Sequence, residues 1–586
     1  MMNNTNKENS LWAAIKIGLL GGAVALFISL VGMAEVFSKR DVVEKTMTLG
    51  QFVLLAISVA SGLLAARRTA ALLDKPNTAS QAAAGLVAGF FSAAILTLFV
   101  VIGAKINIRT VFLNASPGLY SMLTLNQGVS GVWILPVAGA VSGLLGALSL
   151  SLPNAVRRPL FHAILFIFFM ALFSGLFRVV MINQSGFWEK TAKYLFSQTG
   201  MTRPGAAIFF ALVAGISAFW SAKGQAIKTD VANLPKGGQI GLRVIAFAVI
   251  AFIALGLPLV SGAFIAQVIV IVALFILMGL GLNITLGFAG LLDLGFVAFY
   301  AIGAYTVGLL TSYGQYGLQH ISFWAAIPLA VLVAMAAGFT LGLPVLGVRG
   351  DYLAIATLGF GEIVRLLAGS DFLAKYFGGP QGIIGIQKPC IGVLGEFTKV
   401  DVPRVCYSLF DAAKPGIELG TPQSIYYIAV ASAILIAFVS WRLRESRLGR
   451  AWMAIREDED VAEALGVNLI QTKLLAYMLG AAMAGLGGAI FATLIGSIFA
   501  TSMQLIVSIN VASLIIVGGM GSIPGVIVGA IALIGLPELL REVSEFRYLL
   551  YGATLIIMML AKPEGLWPSK TTQRELHHLD AGTSAD

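Results

Sequence analysis

Long apolar runs recur along this chain from Leu11 to Ala561. Many of them reach roughly 20 residues, the length at which an α-helix crosses the hydrocarbon core of a bilayer. Only 11% of the residues are charged and 58% are hydrophobic, whereas about a quarter of the residues of a soluble domain are charged. The runs therefore predict an all-α, polytopic integral membrane protein with about 14–16 transmembrane helices.

Clusters of lysine and arginine set the expected orientation of these helices. The formal net charge is +10, but no basic stripe alternates with aromatic residues, so we expect these charges to meet membrane lipid and not nucleic acid. Cytoplasmic segments of membrane proteins are enriched in Lys and Arg, and the count of spans between the clusters places both termini in the cytoplasm. The clusters are Arg67–Arg68 with Lys75, Arg157–Arg158, 223–243, 442–456, and Lys562 with Lys570 and Arg574.

A polar stretch at 221–242 is the best internal boundary. It separates about six leading spans, which carry no assignable role, from a core of about ten spans that begins with predicted helices at 244–262 and 264–282. The predicted regions are an amino-terminal transmembrane extension, 1–236, a transport core, 237–570, and a polar cytoplasmic tail, 571–586.

Both cysteines of the chain, Cys390 and Cys406, lie in a polar stretch at 371–423. The count of spans places this stretch on the outer face. In an oxidising compartment the two residues could form a disulfide that closes a short surface loop. Two reduced cysteines are the alternative, and the spacing alone does not distinguish the two states.

The loop at 445–472 is a charged insert between long apolar segments. Gly466 can take the left-handed conformation that ends a helix, so a short helix at 462–465 would form a compact knob that another protein can grip. A solvated connector that serves only to orient the membrane helices is the alternative. The charged residues in and beside the loop are Arg444, Arg447, Arg450, Arg456, Glu457, Asp458, Asp460 and Glu463.

Two glycine-rich segments, 279–305 and 513–529, read as an apolar helix, an interruption and a second helix. Transporters commonly build a midplane pathway from such broken helices, whose freed backbone groups face the cargo. Asp293 supports a pathway because an ionisable group inside a span is costly, although it could instead cap a helix. The residues expected to line the pathway are Asn283, Gly287, Gly290, Asp293, Tyr300, Gly518, Gly519 and Gly521.

The chain lacks the sequence patterns of the common catalytic and metal sites. There is no GxxxxGK[ST] phosphate loop, no HExxH and no CxxC, and the chain has only four histidines. We therefore expect no catalytic residue, no metal site and no enzyme activity in this chain. Glu362 and Arg365 lie three residues apart on one helix face, which favours an internal ion pair.

Four segments, in the same order, resemble the permease subunits of branched-chain amino-acid ABC importers. The first, 280–310, reads LGLNITLGFAGLLDLGFVAFYAIGAYTVGLL, and the second, 349–383, contains RGDYLAIATLGFGEIVRLL and GGPQGI. The third, 447–467, reads RLGRAWMAIREDEDVAEALGV, and the fourth, 515–569, contains IIVGGMGSIPGVIVGAI, LPELLRE and KPEGLWPS. The matches cover roughly the last 300 residues and leave the amino-terminal extension without a motif.

The resemblance implies that the loop at 445–472 carries a coupling helix that enters a cleft of an ATP-binding subunit. Leu465 departs from the family pattern, which has a second alanine there. The transmission residues carried over from the family are Arg456, Glu457, Asp458, Glu463, Ala464 and Gly466.

The same resemblance implies the remaining parts of the importer. These are a homologous second permease, two ATP-binding subunits and a periplasmic amino-acid-binding protein, in the bacterial inner membrane. ATP would be bound by the partner subunits, so this chain needs no cofactor of its own.

Other functions stay open on the sequence. Related permeases carry urea, short amides or other amino acids. An ion-coupled secondary transporter would use Asp293 or Glu362 as its ion or proton site and would need no coupling loop. A membrane receptor or scaffold would explain the extra helices but not the glycine-broken segments.

Overall fold

The computed structural model is almost entirely helical, which confirms the predicted polytopic all-α class. The predicted tail, 571–586, lies outside the described residues, which are 2–569 without 73–76, 125–126, 129–130, 185, 234, 319–320, 346–350, 396–404, 409–415 and 540–545.

Within the described residues, eleven helices are long and apolar enough to cross a membrane. A twelfth span results if Tyr352–Ala368 and Asp371–Phe377, which meet at 57°, are counted as one bent helix. Three further apolar helices, Val297–Thr311, Ile523–Leu539 and Tyr551–Leu560, are shorter. Val297–Thr311 and Ile523–Leu539 each follow a break in the chain, so these two predicted spans are interrupted.

The chain divides into two compact units, Met1–Ala251 and Phe252–Asp586. The first unit contains the six full-length spans expected in the amino-terminal extension and one antiparallel strand pair, β1 (Asp41–Val43) with β2 (Met47–Thr48). Its helices are α1 (Met2–Leu30), α2 (Met33–Ser38), α3 (Leu49–Leu72), α4 (Thr78–Lys105), α5 (Pro117–Leu123), α6 (Gly131–Leu148), α7 (Asn154–Leu172), α8 (Ser174–Ile182), α9 (Phe187–Leu195), α10 (Arg203–Ala232) and the start of α11 (Lys236–Leu282).

Helices α4 and α6 pack through two glycine pairs spaced four residues apart, Gly85 with Gly89 and Gly139 with Gly143. A methyl group on Gly89 would lie 2.1 Å from the Gly139 carbonyl oxygen, and one on Gly143 would lie 2.3 Å from the Gly85 carbonyl oxygen. Small residues at this spacing let helix backbones approach closely in lipid. This close packing fixes the centre of the first unit.

The second unit contains the two predicted helix breaks and the charged loop. A single π-helical turn, Asn283–Phe288, directly follows α11, and another, Ile531–Gly535, follows α21. The remaining helices of the second unit are α12 (Val297–Thr311), α13 (Phe323–Val345), α14 (Asp351–Ala368), α15 (Ala374–Phe377), α16 (Pro422–Arg444), α17 (Arg447–Glu457), α18 (Glu459–Ala464), α19 (Leu469–Ile495), α20 (Leu505–Gly518), α21 (Ile523–Ala530), α22 (Leu536–Leu539) and α23 (Arg547–Ala561).

The structure agrees with one expectation about the start of the core and differs from another. The predicted spans 244–262 and 264–282 are separated where predicted, because Gly262 has non-helical backbone angles, φ 81° and ψ 175°, and kinks α11. The polar stretch at 221–242, expected to be a linker, is mostly helical because α10 continues to Ala232 and α11 begins at Lys236. The polar stretch therefore contains the junction between α10 and α11 but is not a long loop.

Short strand pairs build one end of the second unit. All three pairs are antiparallel: β3 (Ile383–Ile384) with β8 (Ser497–Ile498), β4 (Cys390–Ile391) with β7 (Ile417–Glu418), and β5 (Val393–Leu394) with β6 (Cys406–Tyr407).

A disulfide joins Cys390 to Cys406 across these strands, with their Cα atoms 5.9 Å apart. Lys388 caps the nearby end of α19, because its ammonium group donates to the carbonyl oxygens of Thr493 and Leu494. Burial lowers the pKa of this ammonium group, and nearby Glu418 opposes that shift. We call this region the disulfide end of the core.

Helices α12 and α19 form the centre of the second unit and are in backbone contact. A methyl group on Gly488 would lie 1.9 Å from the Tyr300 carbonyl oxygen, and one on Gly303 would lie 2.1 Å from the Gly485 carbonyl oxygen. The side chains around the contact are buried, and the Tyr300 ring lies 5.5 Å from that of Phe491. Both helices end beside strands of the disulfide end.

Gly488→Ala should therefore destabilise the core, because the added methyl group meets backbone and cannot be accommodated by a side-chain rotation. Overpacking of this kind costs about 1–3 kcal/mol. The matched control is Gly359→Ala on α14, where an added methyl group would have no heavy atom within 4 Å. The midpoint of thermal unfolding in detergent should fall for the first variant alone. Equal midpoints would contradict the backbone contact.

Candidate functional site: a charged knob and two helix breaks

The loop at 445–472 folds into two short capped helices. The Ser446 side chain accepts from the Gly449 amide and begins α17. Asp458 begins α18, since one carboxylate oxygen accepts from the amides of Asp460 and Val461 at 2.9 and 3.0 Å. Each cap satisfies amides that a helix leaves without a partner.

Gly466 ends α18 in the left-handed conformation, φ 88°. Its amide donates to the Glu463 carbonyl, and the next amide, of Val467, donates to the Ala462 carbonyl. This is the Schellman arrangement, in which a glycine closes a helix. We call residues 458–466, α18 with its two caps, the knob.

The outer surface of the knob combines apolar and acidic side chains. Leu465 is 77% exposed and Val461 is 55% exposed. Glu457, just before the knob, is 66% exposed, and it lies only 3.9 Å from the Arg456 guanidinium. Glu463, Ala464 and Gly466 are also exposed. Exposed apolar groups with an acidic rim are typical of a protein-binding surface.

The inner side of the loop is fastened to α19. The Trp452 indole is fully buried and donates to the Thr472 carbonyl at 2.7 Å. Lys473, also buried, forms a 2.7 Å ion pair with Glu459 at the start of α18. Breaking a buried ion pair by removing one partner is strongly destabilising. The knob is therefore held to a membrane helix by a hydrogen bond and a buried ion pair.

The first break, 283–296, interrupts the chain between α11 and α12. After the π-helical turn the Leu291 amide donates to the Thr285 carbonyl at 2.8 Å, outside the α-helical pattern. Asp293 then forms a local turn, because its Oδ1 accepts from the Gly295 amide at 2.9 Å. Thr357 of α14 holds the same turn by accepting from the Leu294 amide.

The second break, 518–522, lies between α20 and α21. Gly519 and Gly521 have φ of 120° and 74°, conformations that side chains other than glycine rarely adopt. The chain after α23 closes this break, since the amides of Leu566 and Trp567 donate to the carbonyls of Val517 and Gly518, both at 2.8 Å.

Asn283 and Arg456 connect the two breaks and the loop. Asn283 Oδ1 accepts from the Gly521 amide at 2.9 Å. Arg456 Nη1 donates to the Gly287 carbonyl at 2.9 Å. Hydrogen bonds thus join the first break to the second break and to the charged loop.

The structure therefore brings five of the predicted site residues together and separates others. Gly518 and Gly519 pack against Gly525 and the segment at 564–568, and Tyr300 lies in the contact between α12 and α19. Both breaks lie beside the charged loop, since Arg456 contacts Gly287, Gly290 and Gly521. The freed groups Gly287 O and Gly521 N have protein partners and do not face open space. The five clustered residues are Asn283, Gly287, Gly290, Gly521 and Arg456.

Some buried polar atoms near the first break have no hydrogen-bond partner among the described residues. These are Asn283 Nδ2, Asp293 Oδ2 and the Tyr477 hydroxyl, on side chains that are almost fully buried. One carboxylate oxygen of Asp293 thus caps a turn, and the other makes no hydrogen bond to the described residues. Glu362 is paired, because Arg365 Nε donates to both of its carboxylate oxygens at 3.0 Å.

Sequence reasoning missed the three residues that fasten the loop: Trp452, Glu459 and Lys473. A signal was present, since a tryptophan within a charged loop and a lysine inside an apolar run both need a specific partner. Their partners are distant along the chain or are backbone groups, which spacing does not reveal.

Comparison with known proteins places the core in a transport family. The family model described as "Branched-chain amino acid transport system / permease component" matches residues 264–559. No solved structure matches the chain significantly.

Curated relatives match the same part of the chain. The high-affinity branched-chain amino acid transport system permease protein LivM of Salmonella typhimurium is 40% identical over 306 residues, which are 52% of this chain and 70% of the relative. LivM of Escherichia coli is 41% identical over 310 residues, with the same coverage. LivH, another permease protein of that system in E. coli, is 28% identical over 152 residues, 25% of this chain and 48% of LivH.

Gly287→Ala tests the contact between the two breaks. The methyl group would lie 2.1 Å from Asn283 Oδ1 and 2.8 Å from the Gly521 amide, so it should break the hydrogen bond between them. We expect faster hydrogen–deuterium exchange in the peptide that contains Gly521, while the protein still inserts into the membrane. Gly552→Ala, with no heavy atom within 4 Å of its methyl group, is the control. Unchanged exchange in the first variant would contradict the contact.

Proposed function

The chain belongs to the permease-component family of branched-chain amino acid transport systems and is a permease subunit of an ABC importer for branched-chain amino acids, and we propose that its loop at 445–472 couples transport to ATP hydrolysis by separate subunits. The observation that carries this proposal is the loop, whose knob presents an exposed surface while its inner side is bonded to α19 and the first break. A part that only orients the membrane helices needs neither feature.

The knob enters a cleft of an ATP-binding subunit in this proposal. Its exposed Val461 and Leu465 would bury apolar surface there, and Glu457 and Glu463 would meet basic groups at the rim. Asp458, Ala464 and Gly466 keep the knob compact, since they cap α18 or lie at its end. ATP is bound by the partner subunits, and this chain supplies no catalytic residue.

Motion of the knob would reach the membrane helices directly. Alternating access requires that closure of the ATPase subunits change the packing of the core. Trp452 and the pair of Lys473 with Glu459 would carry that motion to α19, and Arg456 would carry it to the first break. Coupling is then mechanical.

The two breaks border the translocation path in this proposal. Asp293 Oδ2 and Asn283 Nδ2 are buried polar atoms that make no protein hydrogen bond among the described residues. Opening of the breaks would present an acceptor to the ammonium group of an amino acid and a donor to its carboxylate. Gly287, Gly290 and Gly521 leave room for the movement because none carries a side chain. Tyr300, Gly518 and Gly519 are buried in this conformation and would be reached only when the helices separate.

The chain is a multi-pass membrane protein, and we place it in the bacterial inner membrane with both termini in the cytoplasm. Two features support this orientation. The loop has the lysine and arginine content of a cytoplasmic segment. The disulfide lies at the opposite end of α12 and α19, where an oxidising compartment would maintain it.

A second permease, two ATPase subunits and a periplasmic binding protein complete the proposed importer. LivM and LivH are both named as permease proteins of a branched-chain amino acid transport system, and this chain is similar to each. A pair of permeases therefore fits the family. A chain without catalytic motifs needs separate ATPases, and selection of the substrate would rest mainly with the binding protein.

Glu463→Arg combined with Gly466→Val should abolish leucine uptake and reduce co-purification of the ATPase subunits, with the variant still present in the membrane. The first change reverses a surface charge. The second places a β-branched residue at φ 88°, where left-handed backbone costs about 1–2 kcal/mol, and so distorts the end of the knob.

Glu189→Arg combined with Gly186→Val is the matched control. Gly186 also has a positive φ, 79°, and open surroundings, and Glu189 is equally three residues away, with a side chain that is 43% exposed and paired only with its helix neighbour Lys193 among the described contacts. This control should transport leucine normally. Normal uptake and normal ATPase co-purification in the loop variant would contradict the proposed coupling role.

A further inference from the structure

Arg456 faces away from the surface that the ATPase would contact. Its side chain is only 28% exposed and reaches from the end of α17 to the Gly287 carbonyl, 169 residues earlier in the chain. Arg447 and Arg450 of the same helix are exposed and precede the knob, so they lie outside the surface proposed to enter the ATPase cleft. The family resemblance makes Arg456 a transmission residue, and its direction in the structure shows that its partner lies inside the core.

The π-helical turn explains why the Gly287 carbonyl needs this partner. In an α-helix it would accept from the Leu291 amide, but that amide donates to the Thr285 carbonyl. A buried carbonyl without a partner loses the free energy of a hydrogen bond. The Arg456 guanidinium supplies the donor, and hydrogen bonds from charged donors are stronger than neutral ones.

The side chain of Arg456 also packs on both breaks. A methyl group on Gly290, where φ is 72°, would lie 2.9 Å from Arg456 Cγ. One on Gly521 would lie 3.7 Å from Arg456 Nη1 and 3.4 Å from the Gly287 carbonyl oxygen. The stem therefore covers a glycine of the first break, and the charged head lies between the first break and the second.

We propose that Arg456 is a latch that fastens the coupling loop to both helix breaks, so that the knob and the breaks move together during transport. The latch rests on the coupling function proposed above and adds that one side chain ties the loop to both breaks at once. Arg456 is a positioning residue, since its partners are backbone groups of the breaks and not the substrate. Lysine can replace it only in part, because a single ammonium group lacks the planar, multi-donor geometry of guanidinium.

The test uses the complete importer reconstituted in proteoliposomes, with variants Arg456→Gln, Arg456→Lys and Arg450→Gln. Leucine uptake, ATP hydrolysis and co-purification of the ATPase subunits are measured for each. Arg450 is the matched control because it lies on the same helix, outside the knob, and donates to the nearby Glu445 carbonyl at 3.2 Å.

We expect uptake by Arg456→Gln to fall about tenfold or more, the scale of one charge-assisted hydrogen bond. The ATPase subunits should still co-purify, and ATP hydrolysis should continue, so that more ATP is used for each leucine transported. Arg456→Lys should recover part of the lost uptake, and Arg450→Gln should match the unchanged protein. A residue with a merely structural role would lower uptake and hydrolysis in parallel.

Four results would overturn the latch. Unchanged uptake and coupling in Arg456→Gln would show that the bond is dispensable, and equal losses in Arg450→Gln would show a general effect of charge. Loss of the ATPase subunits from Arg456→Gln would make Arg456 a docking contact, which keeps the proposed function and rejects the latch. If Arg456→Gln does not accumulate, Arg456→Lys decides alone, because normal coupling in that variant rejects the latch. Failure of the unchanged protein to bind ATPase subunits would instead contradict the proposed function.

Discussion

Lipid cannot satisfy a free backbone group, so every carbonyl and amide released by a helix break must find a partner inside the protein. The core of this chain has two breaks at one end of its helices, and its organisation follows from how those groups are satisfied. Asn283 binds the Gly521 amide, Arg456 binds the Gly287 carbonyl, and the segment after α23 binds the carbonyls of Val517 and Gly518. Two broken helix pairs, a surface loop and the carboxyl-terminal segment thereby become one hydrogen-bonded assembly.

Through this assembly, a displacement of the exposed knob can reach the helices inside the membrane. The knob is exposed on one side, and on the other it is joined to α19 by the buried pair of Lys473 and Glu459. Helix α19 is in backbone contact with α12, which begins at the first break. A displacement of the knob therefore has two short routes into the core, one through α19 and one through Arg456. Packed interiors do not deform continuously, so such displacements favour discrete rearrangements.

The sequence predicted the features that depend on local pattern and missed those that depend on distant contacts. Apolar runs indicated the membrane class, glycine clusters indicated both breaks, and Gly466 indicated the end of the knob. The direction of Arg456 was not predictable, because it is set by a carbonyl 169 residues away. The predicted boundary between the spans at 244–262 and 264–282 coincides with the kink at Gly262, a local feature that the glycine itself indicates.

During transport the knob and the breaks are expected to move together as one rigid unit. This joint movement is tested most directly by distances between spin labels in the complete importer, measured with and without nucleotide. The two cysteines of the chain are joined to each other, so cysteines introduced at Asp460, Met520 and Ile391 can be labelled selectively. The distance between labels at Asp460 and Met520 should stay constant, while that between Met520 and Ile391, at the disulfide end, should change. A nucleotide-dependent change in the distance between the labels at Asp460 and Met520 would contradict the joint movement of knob and breaks.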